Sequence, residues 1–175
     1  MEVVLKNAEK KELTDTDIRN ITNLPNLLVV PYHELDCYND IFEIFGKENC
    51  FVLLYEQNHI NEGHYIACIY HPENNTIESF DSLGYPIDKE LDYSNLNKNK
   101  YYTSLILKAV QSRGCRIVQN TRRVQRDANS INTCGRHVSV RLSFRHLNLQ
   151  DYLDVITGYK HINSDDLVSL LTMLF

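Results

Sequence analysis

The stretch Gly63-His64-Tyr65-Ile66-Ala67-Cys68-Ile69-Tyr70-His71-Pro72-Glu73-Asn74-Asn75-Thr76-Ile77-Glu78-Ser79-Phe80-Asp81 reads as two strands around a turn. From Gly63 to Tyr70 both alternating faces are apolar, the pattern of a strand buried on both sides near the middle of a sheet. Pro72-Glu73-Asn74-Asn75 supplies turn residues, and Thr76 to Phe80 is the returning strand. If the loop holds an even number of residues, Pro72 pairs with Asn75 and His71 with Thr76. That register sets Asp81 opposite Ile66 and His64 opposite Leu83. His64 and Asp81 then share a face as diagonal neighbours, about 7–8 Å apart between Cα atoms, close enough for a carboxylate to reach an imidazole. An odd loop or a bulge would undo this placement.

Helix and strand signals alternate on either side of the hairpin, without repeats or low-complexity tracts, which predicts a single α+β domain over residues 1–175. Thr14-Asp15-Thr16-Asp17 is a capping-box-like start for a short helix over Asp17 to Ile21, closed by Pro25. Leu27 to Val30 and Phe51 to Tyr55 are strand-like, and Asn39 to Phe45 is a plausible amphipathic helix stopped by Gly46. Lys100 to Gln111 reads as a helix ended by Gly114, and Arg116 to Val118 as a strand. Everything after Cys134 reads as helical, with further starts at Asn148 and Asn163.

The chain has 175 residues, 43% of them hydrophobic, and a net charge of −5, enough for one proper core and too acidic for a global attraction to nucleic acid. No apolar run approaches the roughly 20 residues that span a bilayer, so no membrane partner is expected, and no secretory signal is visible. Five cysteines, odd in number and without a Cys-x-x-Cys pair, argue against a disulfide framework or a zinc ribbon and for a reducing, intracellular setting. Cys37, Cys50 and Cys68 sit among apolar residues and read as small buried hydrophobes. His59, His64, Cys68 and His71 have no metal-ligand spacing, and neither metal nor cofactor is expected.

Cys134 differs from the others. It follows a polar loop and opens a helical segment, and a thiol at a helix N-terminus meets unpaired amides and the positive end of the helix dipole, which favour the thiolate. Gly135 would let a substrate approach the backbone, and the nearby amides could hold an oxyanion. With His64 and Asp81, the chain therefore holds the three residue types that thiol catalysis needs: a nucleophile, a base and a group to orient the base.

Three motifs, Gly-His-Tyr at 63–65, Phe-Asp-Ser-Leu-Gly at 80–84 and Asn-Thr-Cys-Gly-Arg-His at 132–137, resemble the adenain-like and SUMO-protease-like cysteine peptidases, especially those of large DNA viruses, virophages and Maverick-type elements. The interval of 17 residues from His64 to Asp81 is typical of that family, and Leu13 to Ile18 is similar to the N-terminal helix of its viral members. The resemblance covers the chain from about Leu13 to Leu147. It implies a papain-like core, a small mixed sheet with a hairpin packed against helices, His64 as base, Asp81 as its orienting partner and Cys134 as nucleophile. It further implies an oxyanion-hole glutamine, best matched by Gln125 at an interval of nine residues, longer than usual; Asn129 or Asn132 would be alternative donors. Tyr65 stands where many members carry Trp. The implied activity is viral cysteine endopeptidase, cutting capsid or other virion precursors near Gly-containing sites in the host cytoplasm or virus factory, with the enzyme packaged in the virion. The alternatives are an isopeptidase that removes a ubiquitin-like protein, or a non-catalytic nucleic-acid-binding virion protein using Arg113, Arg116, Arg122, Arg123 and Arg126 for weak DNA contact.

Overall fold

The computed structural model describes residues 2–59, 62–94, 102–126 and 131–174. Five strands form one mixed sheet in the order β1-β2-β3-β4-β5. They are β1 (Leu28–Pro31), β2 (Cys50–Glu56), β3 (Gly63–His71), β4 (Thr76–Phe80) and β5 (Arg116–Gln119). The β3–β4 hairpin has the expected even loop: His71 pairs with Thr76, Cys68 with Ser79 and Ala67 with Phe80. β2 also runs antiparallel to β3, whereas β1 and β5 pair in parallel at the two edges. β3 is thus the central strand, as its two apolar faces require.

Alternation along the strands supplies two cores. Val52, Leu54, Ala67 and Ile69 face one layer of helices, and Phe51, Leu53, Tyr55, Ile66 and Cys68 face the other. The first layer contains α2 (Asp15–Thr22), α5 (Cys134–Ser143), α6 (Leu149–Thr157) and α7 (Ser164–Thr172); the second contains α3 (Ile41–Phe45) and α4 (Tyr102–Arg113). The Thr14 capping box is present in full, and Asn148 and Asn163 cap α6 and α7. α3 begins later than expected because Asp40 caps it. α4 runs to Arg113 before Gly114, which adopts a positive φ; the expected start at Lys100 lies outside the described residues.

Two expectations need revision. Cys37 is exposed, because it ends a 3-10 turn (Tyr32–Cys37) whose buried positions are taken by Tyr32 and Leu35. A further helix, α1 (Glu2–Lys10), precedes the first one expected and packs against α7. Among the described residues no helix is long and apolar enough to cross a membrane.

α5 is pinned to the sheet by a buried ion pair. Arg141, fully buried, donates from Nε (2.7 Å) and NH2 (2.8 Å) to Glu78 on β4, from NH1 to the Phe144 carbonyl and from NH2 to the Leu147 carbonyl. A guanidinium held by four hydrogen bonds fixes the axis of α5 relative to the hairpin, and with it the position of Cys134 at the N-terminus.

Candidate active site

The start of β3, the end of β4 and the start of α5 meet at one cleft of about 920 Å³, lined by His64, Cys134, Gly135, Gln125, Tyr65 and Leu83 among others. The acid comes from the hairpin. Chain pairing ends at Phe80, and Asp81 turns out of the ladder so that its Oδ1 accepts from His64 Nε2 at 2.9 Å and from the Leu83 amide at 2.7 Å. His64 and Asp81 are 6% and 5% exposed, so the pair is desolvated and strong. A carboxylate can only accept; the proton therefore sits on Nε2, and the other ring nitrogen is left for Cys134, with which His64 also hydrogen-bonds. Burial works against a charged imidazole, but the Asp81 carboxylate and the Cys134 sulfur outweigh it and hold the His64 pKa well above its ordinary value.

Asn120, which follows β5, brackets the acid. Its Oδ1 accepts from the Asp81 amide at 2.8 Å and its Nδ2 donates to the Asp81 carbonyl at 2.6 Å. This residue was not foreseen, since a lone Asn after a strand carries no local signal beyond a turn. The following residue ties the acid to Gln125: the Ser82 carbonyl accepts from the amides of Val124 and Gln125, both at 2.9 Å, and Ser82 Oγ donates to Gln125 Oε1 at 2.7 Å. With its oxygen occupied, Gln125 has its NH2 as the donor end, and the residue lines the cleft. Gly84, at φ +70°, lets this turn approach the Arg122–Arg123 peptide, which a Cβ would meet at 2.9 Å.

Asn132, the alternative donor, is committed elsewhere: its amide donates to Glu9 O at 2.7 Å and its Nδ2 to Lys10 O at 3.1 Å. Asn129 lies outside the described residues. Cys134 is half-buried at the first turn of α5, and Gly135 packs against Leu13 and Tyr65, where a Cβ would lie 3.1 Å from Leu13 Cβ. A side chain at this position would therefore press on the segment that leads into α2. Tyr65 OH donates to Asp15 at 3.1 Å, which holds this aromatic wall of the cleft.

Glu90, from a 3-10 turn (Lys89–Tyr93), is 3% exposed and lies beside the pair. Among the described residues, His64, Asp81 and Glu90 are the group whose donor atoms, all within 4.8 Å of one another, could hold a metal ion. Burial raises the Glu90 pKa against the lowering influence of His64.

The five arginines weighed for DNA contact have protein partners. Arg126 bonds Glu9 and Asp165, Arg113 bonds Asp40 at 2.7 Å and covers the Phe42 ring, and Arg122 lies 4.0 Å from Asp154. Arg123 lies over Tyr85, and Arg116 donates to the Asn74 carbonyl.

No family model matches the sequence. Uncharacterized protein V9 of Sputnik virophage is 32% identical over 176 residues, which is 97% of this chain and 98% of that protein. Among solved structures, the ASFV pS273R protease in its Se-Met form superposes with a TM-score of 0.56 at 14% identity, covering 96% of this chain and 70% of the other. The SUMO protease Ulp1, with its catalytic cysteine oxidized to a sulfenic acid, gives 0.49 at 11% identity, covering 94% and 77%.

Proposed function

The chain belongs to the family of Sputnik virophage protein V9 and has the fold of the ASFV pS273R protease, and from that premise we propose that it is a cysteine endopeptidase. One observation carries the reading: a buried imidazole stands between a carboxylate at 2.9 Å and the half-buried thiol of a helix N-terminus, in an open cleft. A His–Asp pair alone occurs in many cores; the thiol on the second ring nitrogen converts it into a nucleophile and base.

In the proposed mechanism the thiol proton moves to the free ring nitrogen of His64, giving an imidazolium held by Asp81. The Cys134 thiolate attacks the scissile carbonyl carbon, and the oxyanion is met by the first amides of α5 and the Gln125 NH2. Collapse breaks the C–N bond as the imidazolium protonates the leaving amine, which leaves a thioester. Water, deprotonated by His64, then attacks the thioester and expels the Cys134 thiolate.

The substrates in this reading are capsid or other virion precursors cut near Gly-containing sites, in the host cytoplasm or virus factory, with the enzyme packaged in the virion. The viral origin of the relative and the family resemblance support it. Nucleic acid is left out of the reading because Arg126 and Arg113, two of the five arginines weighed for it, are held in ion pairs by Glu9, Asp165 and Asp40. The test offers the purified protein two substrates: a capsid precursor from its own genome and a ubiquitin-like protein fused through its C-terminal glycines. Cleavage of the precursor at discrete sites, lost in Cys134→Ala, is the expected result. Cleavage of the fusion alone would replace the endopeptidase by an isopeptidase, and cleavage of neither would remove the proposal.

A further inference from the structure

Among the described residues six carboxylates are buried: Glu9, Glu56, Glu78, Asp81, Glu90 and Asp165. Five of them bond an arginine or a histidine: Glu9 and Asp165 hold Arg126, Glu56 holds His33, Glu78 holds Arg141 and Asp81 holds His64. Glu90 bonds neither among the described residues. It is 3% exposed, its side chain meets Gln57, and its Oε1 has no hydrogen-bond partner there. A carboxylate oxygen kept from water without a partner is costly, so its presence calls for a reason. The fold also fixes it in place. The 3-10 turn that carries Glu90 is entered through Asp88 at φ +65°. Tyr32 OH and Tyr55 OH both donate to Asp88 Oδ1 at 3.0 Å, and the Asp88 amide donates to Tyr55 OH at 3.2 Å. After the turn, Ser94 Oγ donates to the Glu56 carbonyl at 2.5 Å. Both flanks are thereby tied to β2, and Glu90 is held beside the His64–Asp81 pair.

Donor atoms of His64, Asp81 and Glu90 all lie within 4.8 Å of one another. One imidazole nitrogen and two carboxylates form a zinc-type donor set with a fourth position open, and the nitrogen disfavours hard cations such as Mg²⁺. Zinc bonds of about 2.0–2.2 Å set tetrahedral ligand atoms about 3.5 Å apart, so small side-chain rotations close the group. Gln57, the neighbour of Glu90, lines the cleft and gives the way in. We propose that His64 Nε2, Asp81 and Glu90 form a site for zinc or a similar divalent cation, and that its occupation silences the thiol centre.

In the imidazolium form of His64 both ring nitrogens carry a proton. The cation takes the place of the Nε2 proton, which leaves to solvent, and Asp81 exchanges its bond from His64 for a bond to the metal. The ring keeps its other proton, on Nδ1, directed at the Cys134 sulfur. A metallated imidazole that holds this proton can neither accept from the thiol nor protonate a leaving amine. Peptide hydrolysis stops, while a thiolate already formed keeps its hydrogen bond and stays nucleophilic. A cation caught between the sulfur and the ring would instead mask the sulfur.

The inhibitory half of this inference rests on the proposed peptidase reading; the binding half does not. Zinc affinity is measured by competition with a chromophoric chelator in the parent, Cys134→Ala and the isosteric Glu90→Gln, with a thermal melt on each. The parent and Cys134→Ala bind zinc alike within about threefold, and Glu90→Gln binds at least about tenfold more weakly. In the parent, saturating zinc lowers peptide hydrolysis by roughly 10²-fold or more relative to the same enzyme in EDTA. Alkylation of Cys134 by iodoacetamide, mapped by mass spectrometry, falls by less than about threefold under the same conditions. Should Glu90→Gln not fold, Cys134→Ala and the alkylation of the parent still decide which atoms hold the ion. No zinc binding by the parent, equal affinity in a folded Glu90→Gln, loss of binding in Cys134→Ala, full hydrolysis at saturating zinc, or a Cys134 that zinc protects from alkylation would overturn the inference. Zinc binding that depends on Glu90 in a protein that hydrolyses no peptide even in EDTA would overturn the peptidase reading and leave the cation site intact.

Discussion

His64 Nε2 and Asp81 Oδ1 meet at 2.9 Å across 17 residues of chain: the even loop of the β3–β4 hairpin holds the register up to Ala67 and Phe80, and Asp81, one residue past the last pair, turns its carboxylate onto His64. A slip of one position in the hairpin would send the side chains of β4 to the opposite face and carry Asp81 away from His64. The pairing also determines the tautomer of His64 and so which nitrogen meets Cys134. With the imidazolium favoured, His64 keeps its proton to higher pH than a free imidazole, and the alkaline limb of kcat/KM lies above about 6.5. Asp81→Asn removes the charge that sustains the imidazolium, so this limb moves to lower pH. His64→Ala, which removes the base altogether, lowers kcat/KM by roughly 10²–10⁴, and Asp81→Asn by less. A pH–rate profile of each variant checks the order and the direction; an alkaline limb that stays in place in Asp81→Asn would mean that another group sets it.

Gln125 and Asn132 make different predictions because their donors point to different partners. The Gln125 NH2 is freed by the bond from Ser82, whereas Asn132 spends its amide and Nδ2 on α1 carbonyls. Gln125→Ala should lower kcat by roughly 10²–10³ with little change in KM, the mark of a lost oxyanion donor. Asn132→Ala should affect thermal stability more than kcat. Steady-state kinetics and melting curves on both variants decide between them.

Gly63 opens β3 where its backbone presses on β2, and a Cβ there would lie 1.9 Å from the Tyr55 carbonyl oxygen. Neither strand can yield without disturbing the hairpin. Gly63→Ala should cost roughly 3 kcal/mol, the upper end of ordinary overpacking, or about 6–12 °C in Tm for a domain of this size. Calorimetry measures it; a Tm within 2 °C of the parent would show that the start of β3 is looser than described.

Acid should release the bonds that Asp165 accepts from Thr133, His137 and Arg126 within a definite window. The Asp165 pKa is held down to about 2 in the folded protein, against about 3.9 for a free side chain. Its contribution to stability is thus complete above about pH 4 and is lost as the pH falls towards 2. Urea titrations from pH 5 to pH 2 should show a steeper loss of stability for the parent than for Asp165→Asn, the two curves converging at the acid end.

The elements with short-range signals were legible: the hairpin from alternation and turn residues, α2 from its capping box, α6 and α7 from Asn caps, and the thiol, imidazole and carboxylate from their motifs. What escaped the sequence depends on contacts between distant segments. α1 acquires its place from bonds to Asn132 and Arg136, more than 120 residues away. Asp165 resembles any acidic residue in the first turn of a helix, where its charge would suit the dipole; only the fold reveals that it faces inward to Thr133, His137 and Arg126. Cys37 is exposed despite its apolar surroundings in sequence because neighbours along the chain do not share one face of a 3-10 turn.

The central claim is that Cys134, served by His64, is the acylating nucleophile, and an electrophilic probe tests it most directly. A peptide ending in Gly-Gly with a vinyl methyl ester in place of the scissile bond is incubated with the protein at neutral pH and the adduct is mapped by mass spectrometry. The account predicts one adduct, on Cys134, formed rapidly by the parent and not at all by His64→Ala in the same time. An adduct on the exposed Cys37 instead, or equal labelling of Cys134 with and without His64, would contradict it.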